Sequence, residues 1–177
     1  GRLVVAGGGC RGDHLSSVEA YTLPWYHLSS VEAYTGNGWA PLPPMPHAAF
    51  FATACVLNGR LHVMGGWGSN THQVLEMTEE NGLAWTVKAD LPAPRYAAAS
   101  VVFQGKIGGM GGITGDEVSS TMLTYDVEAD AWATAPSLRA PTVGHTATVI
   151  DGRIHLASRL RTSVYDAAWS RAVGGNG

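Results

Sequence analysis

The sequence predicts an all-β protein made of repeated four-stranded antiparallel sheets. Two observations support this prediction: a pattern that returns with a period of about 46 residues, and a composition rich in turn residues. The 177 residues include 23 glycines and 9 prolines, whereas charged residues make up only 14%. Such a composition favours short strands and turns over the Glu- and Lys-rich helices of a bundle. At this length a single domain covering residues 1–177 is expected.

The repeat is visible in glycines and tryptophans. Four segments begin with glycine and a basic residue before a short apolar run, and their first glycines are spaced 58, 46 and 47 residues apart: GRLVVAGG, GRLHVMGG, GKIGGMGG and GRIHLASR. Trp39, Trp85 and Trp132 recur at spacings of 46 and 47. The predicted units therefore span roughly 1–49, 50–95, 96–142 and 143–177.

A duplicated segment explains the longer first spacing. The letters HLSSVEAYT stand at 14–22 and again at 27–35, thirteen positions apart. Removing thirteen residues shortens the first spacing to 45, so residues 14–26 are interpreted as an insertion within one repeat. We predict that Val31–Thr35 of the second copy is the framework strand, because it lies close before Trp39. The first copy is either a long loop or an extra edge hairpin.

Each complete unit is predicted to contain four short strands. In the second unit the apolar run FFATACVL precedes Asn58-Gly59, a strong hairpin signal. The next strand ends at Gly65-Gly66, the third is QVLEM, and the last begins at Trp85. Hairpins that follow one another without helical periodicity favour a propeller, in which radial repetition protects the sheet edges. The glycine doublet permits positive φ and close backbone approach, and the tryptophan buries a large area between neighbouring sheets.

This combination resembles the kelch repeat over nearly the whole chain. The third unit matches the kelch pattern best, with Gly105, Gly111-Gly112, Tyr125 and Trp132. In the second unit, Met77 is assigned to the position where the family usually has tyrosine.

The fourth unit departs from the kelch pattern. Ser158-Arg159 stands where the glycine doublet is expected, and only three residues separate Tyr165 from Trp169. We therefore expect this blade to be degenerate or truncated.

The resemblance implies kelch-type β-propeller blades of four antiparallel strands, about three and a half to four of them in this chain. Kelch propellers usually have about six or seven blades, so an open arc or part of a larger propeller is expected. A closed ring of four blades is the alternative. The terminal faces of an arc would be covered by further blades from additional sequence or by self-association.

Kelch domains generally bind protein partners through loops at one mouth of the propeller, which implies a non-catalytic protein-interaction module. On this chain the corresponding loops contain the candidate binding residues Trp67, Asn70, His72, Arg95, Tyr96, Asp116, Glu117, Arg139 and His145. Aromatic and arginine side chains are common interface hot spots. Many family members carry an arginine at the start of each first strand, but Ala49 and Thr142 occupy two of these positions. A multi-arginine pocket for an acidic peptide is therefore not predicted.

Two alternatives stay open for the function: a kelch-fold enzyme of the sugar oxidase or sialic-acid mutarotase type, and a degenerate fragment without independent function. No metal or cofactor is predicted, because His62 and His155 occupy equivalent positions two blades apart and are assigned to structural packing. Cys10 and Cys55 match no metal or redox spacing.

The charge and hydropathy patterns bear on other partners and on location. The net charge is −3 and basic residues are not clustered, which argues against nucleic acid and anionic membranes as partners. No apolar run approaches the roughly 20 residues of a membrane span, no secretory signal is visible, and a cytoplasmic location is favoured.

Overall fold

The computed structural model describes residues 3–6, 29–34, 36–78, 82–158 and 162–165. These residues form sixteen β-strands in five antiparallel sheets. Among them no helix is long and apolar enough to cross a membrane. The first copy of the duplication, Cys10, Arg159 and Trp169 lie outside the described residues.

Four of the sheets follow one another along the chain. The first has the order β1-β2-β3, with β1 Leu3–Ala6, β2 Val31–Tyr34 and β3 Trp39–Leu42. The second has the order β4-β5-β6-β7, with β4 Thr53–Leu57, β5 Arg60–Met64, β6 His72–Thr78 and β7 Gly82–Lys88.

The third sheet contains a small hairpin between its second and third strands. Its order is β8-β9-β12-β13, with β8 Ala99–Phe103, β9 Lys106–Met110, β12 Met122–Asp126 and β13 Ala131–Ala135. The hairpin consists of β10 Ile113–Thr114 and β11 Glu117–Val118. The fourth sheet has the order β14-β15-β16, with β14 Thr146–Ile150, β15 Arg153–Ala157 and β16 Thr162–Tyr165.

The strand register confirms one sequence prediction and corrects another. Strand β2 comes from the second copy of the duplication and pairs with both β1 and β3, as predicted. Met77 is not the equivalent of the kelch tyrosine. Tyr125 pairs with Trp132, whereas the residue that pairs with Trp85 is Leu75. The β6–β7 hairpin extends to the pair Thr78 and Gly82, and this extra length displaces Met77 from the expected position.

The turns between the first and second strands show why the repeat begins with glycine. Asn58-Gly59, Gln104-Gly105 and Asp151-Gly152 all have positive φ at both residues. This conformation matches the type I′ turn, whose twist suits a two-residue hairpin and which favours glycine. The basic residue after each glycine starts the next strand.

Three hydrophobic clusters lie between successive sheets. The first cluster joins Val31 of the first sheet to Leu61, Val63 and Leu75 of the second. The second cluster packs Leu57, Met64 and Leu91 against Ile107, Leu123 and Tyr125. The third cluster packs Val101, Met110 and Met122 of the third sheet against Ile154 and Leu156 of the fourth. Within the described ranges no cluster joins the first sheet to the last, and the described sheets form an open arc.

The first strands of neighbouring sheets contact one another on the inner side of the arc, where β8 touches both β4 and β14. Thr53 Oγ1 and Ser100 Oγ lie 2.8 Å apart across this contact. Cys55, which lies on β4 with Thr53, is a free thiol, and burial raises its pKa to about 12. It therefore remains protonated at neutral pH.

The glycine doublets hold the loops of neighbouring blades together. Gly66 N donates to Arg95 O of the next blade at 2.8 Å, and Gly112 N donates to Thr142 O at 2.7 Å. A Cβ at Gly111 would lie 2.5 Å from the same Thr142 oxygen. Because this neighbour is backbone, only glycine allows the approach.

Candidate functional site

One end of the arc is built from two kinds of loop. The leading loops run into each first strand at 49–52, 95–98 and 142–145, and the doublet loops follow the second strands at 65–71 and 111–121. Trp67 N donates to Phe50 O at 2.8 Å and Ile113 N donates to Tyr96 O at 2.9 Å, so each doublet loop is bonded to the leading loop of its own blade. We call this end the mouth.

The leading loops also form a backbone ladder across the blades. Ala97 N donates to Phe51 O and Gly144 N donates to Ala97 O, each at 3.0 Å. All three residues have φ between 51° and 59°, in the left-handed region. The ladder fixes the relative positions of the loops that carry the candidate residues.

Four aromatic side chains gather at the mouth, and we call them the aromatic patch: Phe50, Phe51, Trp67 and Tyr96. Their ring centroids are 4.0 Å apart for Phe50 and Phe51, 6.5 Å for Phe50 and Trp67, and 5.0 Å for Trp67 and Tyr96. Phe50 is buried, but Phe51 is 50% exposed and Trp67 is 55% exposed. Such exposed, contiguous aromatic surface is typical of interaction sites.

Sequence reasoning found Trp67 and Tyr96 and missed Phe50 and Phe51. The missed residues stand 46 positions before Tyr96 and Ala97, so they occupy the same leading-loop positions one blade earlier. Comparing the repeats position by position would have revealed them.

An acidic hairpin lies next to the aromatic patch. Tyr96 and Ile113 exchange two backbone hydrogen bonds, and Ile113 starts the β10–β11 hairpin whose turn and second strand carry Asp116 and Glu117. Both acidic residues are exposed. Sequence reasoning placed them in a loop, whereas the structure pairs Glu117 with Thr114.

Arg95 and His145 are buried beneath the mouth rather than presented on it. Arg95 donates from Nη1 to Gly111 O and from Nη2 to Thr121 Oγ1, the second over 2.6 Å. His145 lies against Gly111, where a Cβ would meet its Cε1 at 2.7 Å. Burial lowers the pKa of both side chains. In the part of the chain that the structure describes, neither has a hydrogen-bonded acidic partner.

His72 lies in the interior between the second and third sheets. It is 0% exposed, and its Nε2 is 2.9 Å from Nδ1 of His62. Its ring meets the ring of Tyr125 edge to face, with centroids 4.4 Å apart. Burial lowers the pKa of each histidine from 6.5 to about 4. This placement removes His72 from the residues that a partner could touch.

The remaining candidates lie near the mouth. Asn70 is half-buried and donates from Nδ2 to Leu91 O at 3.2 Å, which joins the doublet loop to the segment that follows β7. Arg139 is exposed and has an interaction partner of its own. Within the described ranges, no three His, Cys, Asp or Glu side chains are grouped so that they could hold a metal ion.

The comparisons with known proteins support the kelch resemblance. No protein-family model matches the chain. The chain is 31% identical over 159 residues to kelch-like protein 35 of Mus musculus, which covers 88% of this chain and 25% of that protein. It is 29% identical over 125 residues to kelch-like protein 33 of Homo sapiens, covering 67% of this chain and 24% of that protein. The chain thus spans about a quarter of the length of these two relatives.

A solved structure agrees at the level of the fold. The structure of YjhT matches with a TM-score of 0.59 at 23% sequence identity, covering 65% of this chain and 35% of that chain. The glycine doublets, the recurring tryptophans and the successive antiparallel sheets fit the same assignment. The chain therefore belongs to the kelch repeat proteins, and its sheets are blades of a kelch-type β-propeller.

Proposed function

We propose that the chain is a non-catalytic protein-interaction module whose partner binds at the mouth, on the aromatic patch. The observation that carries this proposal is the exposure of Phe51 and Trp67 in a cluster with Phe50 and Tyr96. Aromatic side chains at the centre of an interface are enriched among hot spots.

The setting of the patch supports the proposal as well. The backbone of the leading loops is bonded to the doublet loops and from one blade to the next, so the rings are held on a hydrogen-bonded framework. A surface that is already ordered loses less conformational entropy when a partner binds. A mouth built in this way suits a binding role without any movement of the blades.

Arg95 and His145 contribute indirectly in this proposal. Their side chains face Gly111 and Thr121 rather than solvent, so they shape the doublet loop that carries Asp116 and Glu117. They support the binding surface and are not contacts of the partner.

The test compares two exposed tryptophans. Trp67 at the mouth is 55% exposed and Trp39 on the outer face of the first sheet is 50% exposed, so Trp39→Ala is a matched control. Affinity capture from source cells, with quantitative mass spectrometry, should find at least one protein that Trp67→Ala depletes by roughly tenfold or more, as expected for a hot spot. Trp39→Ala should retain that protein. Circular dichroism should show that both variants fold.

The same captured proteins with wild type, Trp67→Ala and Trp39→Ala would contradict the proposal, because the mouth would then not be the binding surface.

A further inference from the structure

The exposed surface of Trp67 is a part of the aromatic patch that a partner can cover. Its ring lies 5.0 Å from that of Tyr96, and the two ring planes are tilted by 32°. The ring of Phe50 also lies near the indole, at 6.5 Å, yet more than half of Trp67 remains exposed. Indole faces attract cations more strongly than other aromatic side chains do.

Two exposed carboxylates belong to the hairpin next to this face. Asp116 and Glu117 belong to the hairpin that is bonded to Tyr96 through Ile113. At about 3.4 Å per residue, the hairpin turn lies roughly 10 Å or less from that bond, which is about one Debye length at 0.1 M salt. Within the described residues neither carboxylate forms an ion pair.

Arg95, which precedes Tyr96 in the sequence, does not pair with the carboxylates beside this face. Arg95 directs both terminal nitrogens inward, to Gly111 O and Thr121 Oγ1, and is only 7% exposed. Its charge is thus directed to the interior of the doublet loop, while the two carboxylates face solvent.

We propose that the partner segment that binds the aromatic patch carries an arginine or lysine side chain, which packs on the face of Trp67 beside Asp116 and Glu117. The inference rests on the proposed function, because it concerns the same surface. A basic side chain has an aliphatic stem that covers apolar surface and a charged end that the acidic hairpin attracts. An acidic segment would meet two like charges at this position.

The probe for the experiment is a phage-displayed random peptide library. The library is selected on the full 177-residue chain and counter-selected on Trp67→Ala, so that the enriched peptides depend on the patch. We expect arginine and lysine to be enriched, and aspartate and glutamate depleted, relative to the unselected library.

Fluorescence anisotropy with the enriched peptides then tests the role of the carboxylates. The double variant Asp116→Asn, Glu117→Gln should weaken binding roughly three- to tenfold in 50 mM salt, as expected for the loss of two exposed ion pairs. The control Glu128→Gln, Asp151→Asn removes two exposed acids from turns at the opposite end of the blades. It should change the affinity by less than about twofold, because a five-residue strand of roughly 17 Å separates those turns from the mouth, which exceeds the Debye length of roughly 14 Å at this salt concentration.

The outcomes separate the two proposals. Trp67-dependent peptides without enriched basic residues, or equal weakening by the two double variants, would overturn the inference and leave the proposed function standing. A selection that yields no Trp67-dependent peptide would overturn both.

Discussion

Trp132 and Trp39 occupy the same place in their sheets but have different surroundings. Each pairs across a hairpin with a tyrosine, Tyr125 or Tyr34, and the ring centroids are 5.1 Å and 5.5 Å apart. Trp132 is half-buried and donates from Nε1 to Ala89 O of the preceding sheet at 2.9 Å. Trp39 is 50% exposed.

The difference shows which contacts of a blade form within one sheet and which need a neighbouring blade. The Tyr–Trp pair forms inside one sheet, whether or not another sheet packs against the tryptophan. The indole hydrogen bond and the burial of Trp132 need the previous blade. Trp85 is covered in the same way, and its Nε1 donates to Pro43 O of the previous blade at 2.7 Å. Among the described residues, the junction between the second and third sheets is therefore stabilised by contacts that the outer face of the first sheet does not make.

The largest effect is expected at the glycines. A Cβ at Gly65 would overlap the backbone oxygen of Arg95, and its φ of 68° is unfavourable for other residues. Gly65→Ala should lower the free energy of unfolding by at least about 3 kcal/mol, measured by urea denaturation.

Gly36 on the first sheet is the matched control. Its φ is 92°, and a Cβ there would meet nothing within 4 Å. Gly36→Ala should therefore lower the free energy of unfolding by only about 1–2 kcal/mol, the cost of the conformation alone. Equal losses for the two variants would show that the junction is no more tightly packed than the outer face.

The tryptophans test the comparison directly. Trp132→Ala removes an indole that packs between two sheets and leaves Ala89 O without its donor. It should lower the free energy of unfolding by about 3 kcal/mol. Trp39→Ala should lower it by less than about 1 kcal/mol, as for most exposed positions. If denaturation gives similar losses for both, the outer face of Trp39 must be covered in solution.

The buried histidines make the same junction sensitive to acid. Burial lowers the pKa of His62 and His72 to about 4, below the value of 6.5 expected in the unfolded chain. The unfolded state thus binds protons first, so stability is complete above about pH 6.5 and falls as the pH is lowered towards 4. The loss should be on the order of 2 kcal/mol for each histidine between pH 7.5 and 4.5.

Two measurements check this prediction. Urea denaturation should show this loss between pH 7.5 and 4.5, whereas the two histidines should contribute no difference between pH 7.5 and 8.5, since both rings are already neutral there. Proton NMR should show the two imidazole rings unprotonated at pH 5.5. Titration of these resonances near pH 6.5 would contradict a buried, neutral pair.

Much of the blade architecture follows from local sequence. The Asn58-Gly59 turn, the doublet Gly65-Gly66 and the period between Trp85 and Trp132 predicted the hairpins and their order, because turn chemistry and spacing act over short distances. The register of Met77 was predicted wrongly, since the length of the β6–β7 hairpin depends on pairing across the strands.

The candidate site was less accessible to sequence. Residue type and loop position suggested Trp67, Tyr96 and His72 equally, but the structure joins the first two at the mouth and buries the third against His62. Phe51 completes the patch from a different loop of the second blade.

The sequence by itself determined the repeat, the four-stranded unit and the kelch family, because each depends on residues close together in the chain. Only the tertiary structure decided that Arg95 turns inward, that His72 is hidden and that Trp39 is exposed while Trp132 is covered. The physical reason is that burial is a property of the surface that packs on a residue, and for the tryptophans of this protein that surface belongs to the previous blade.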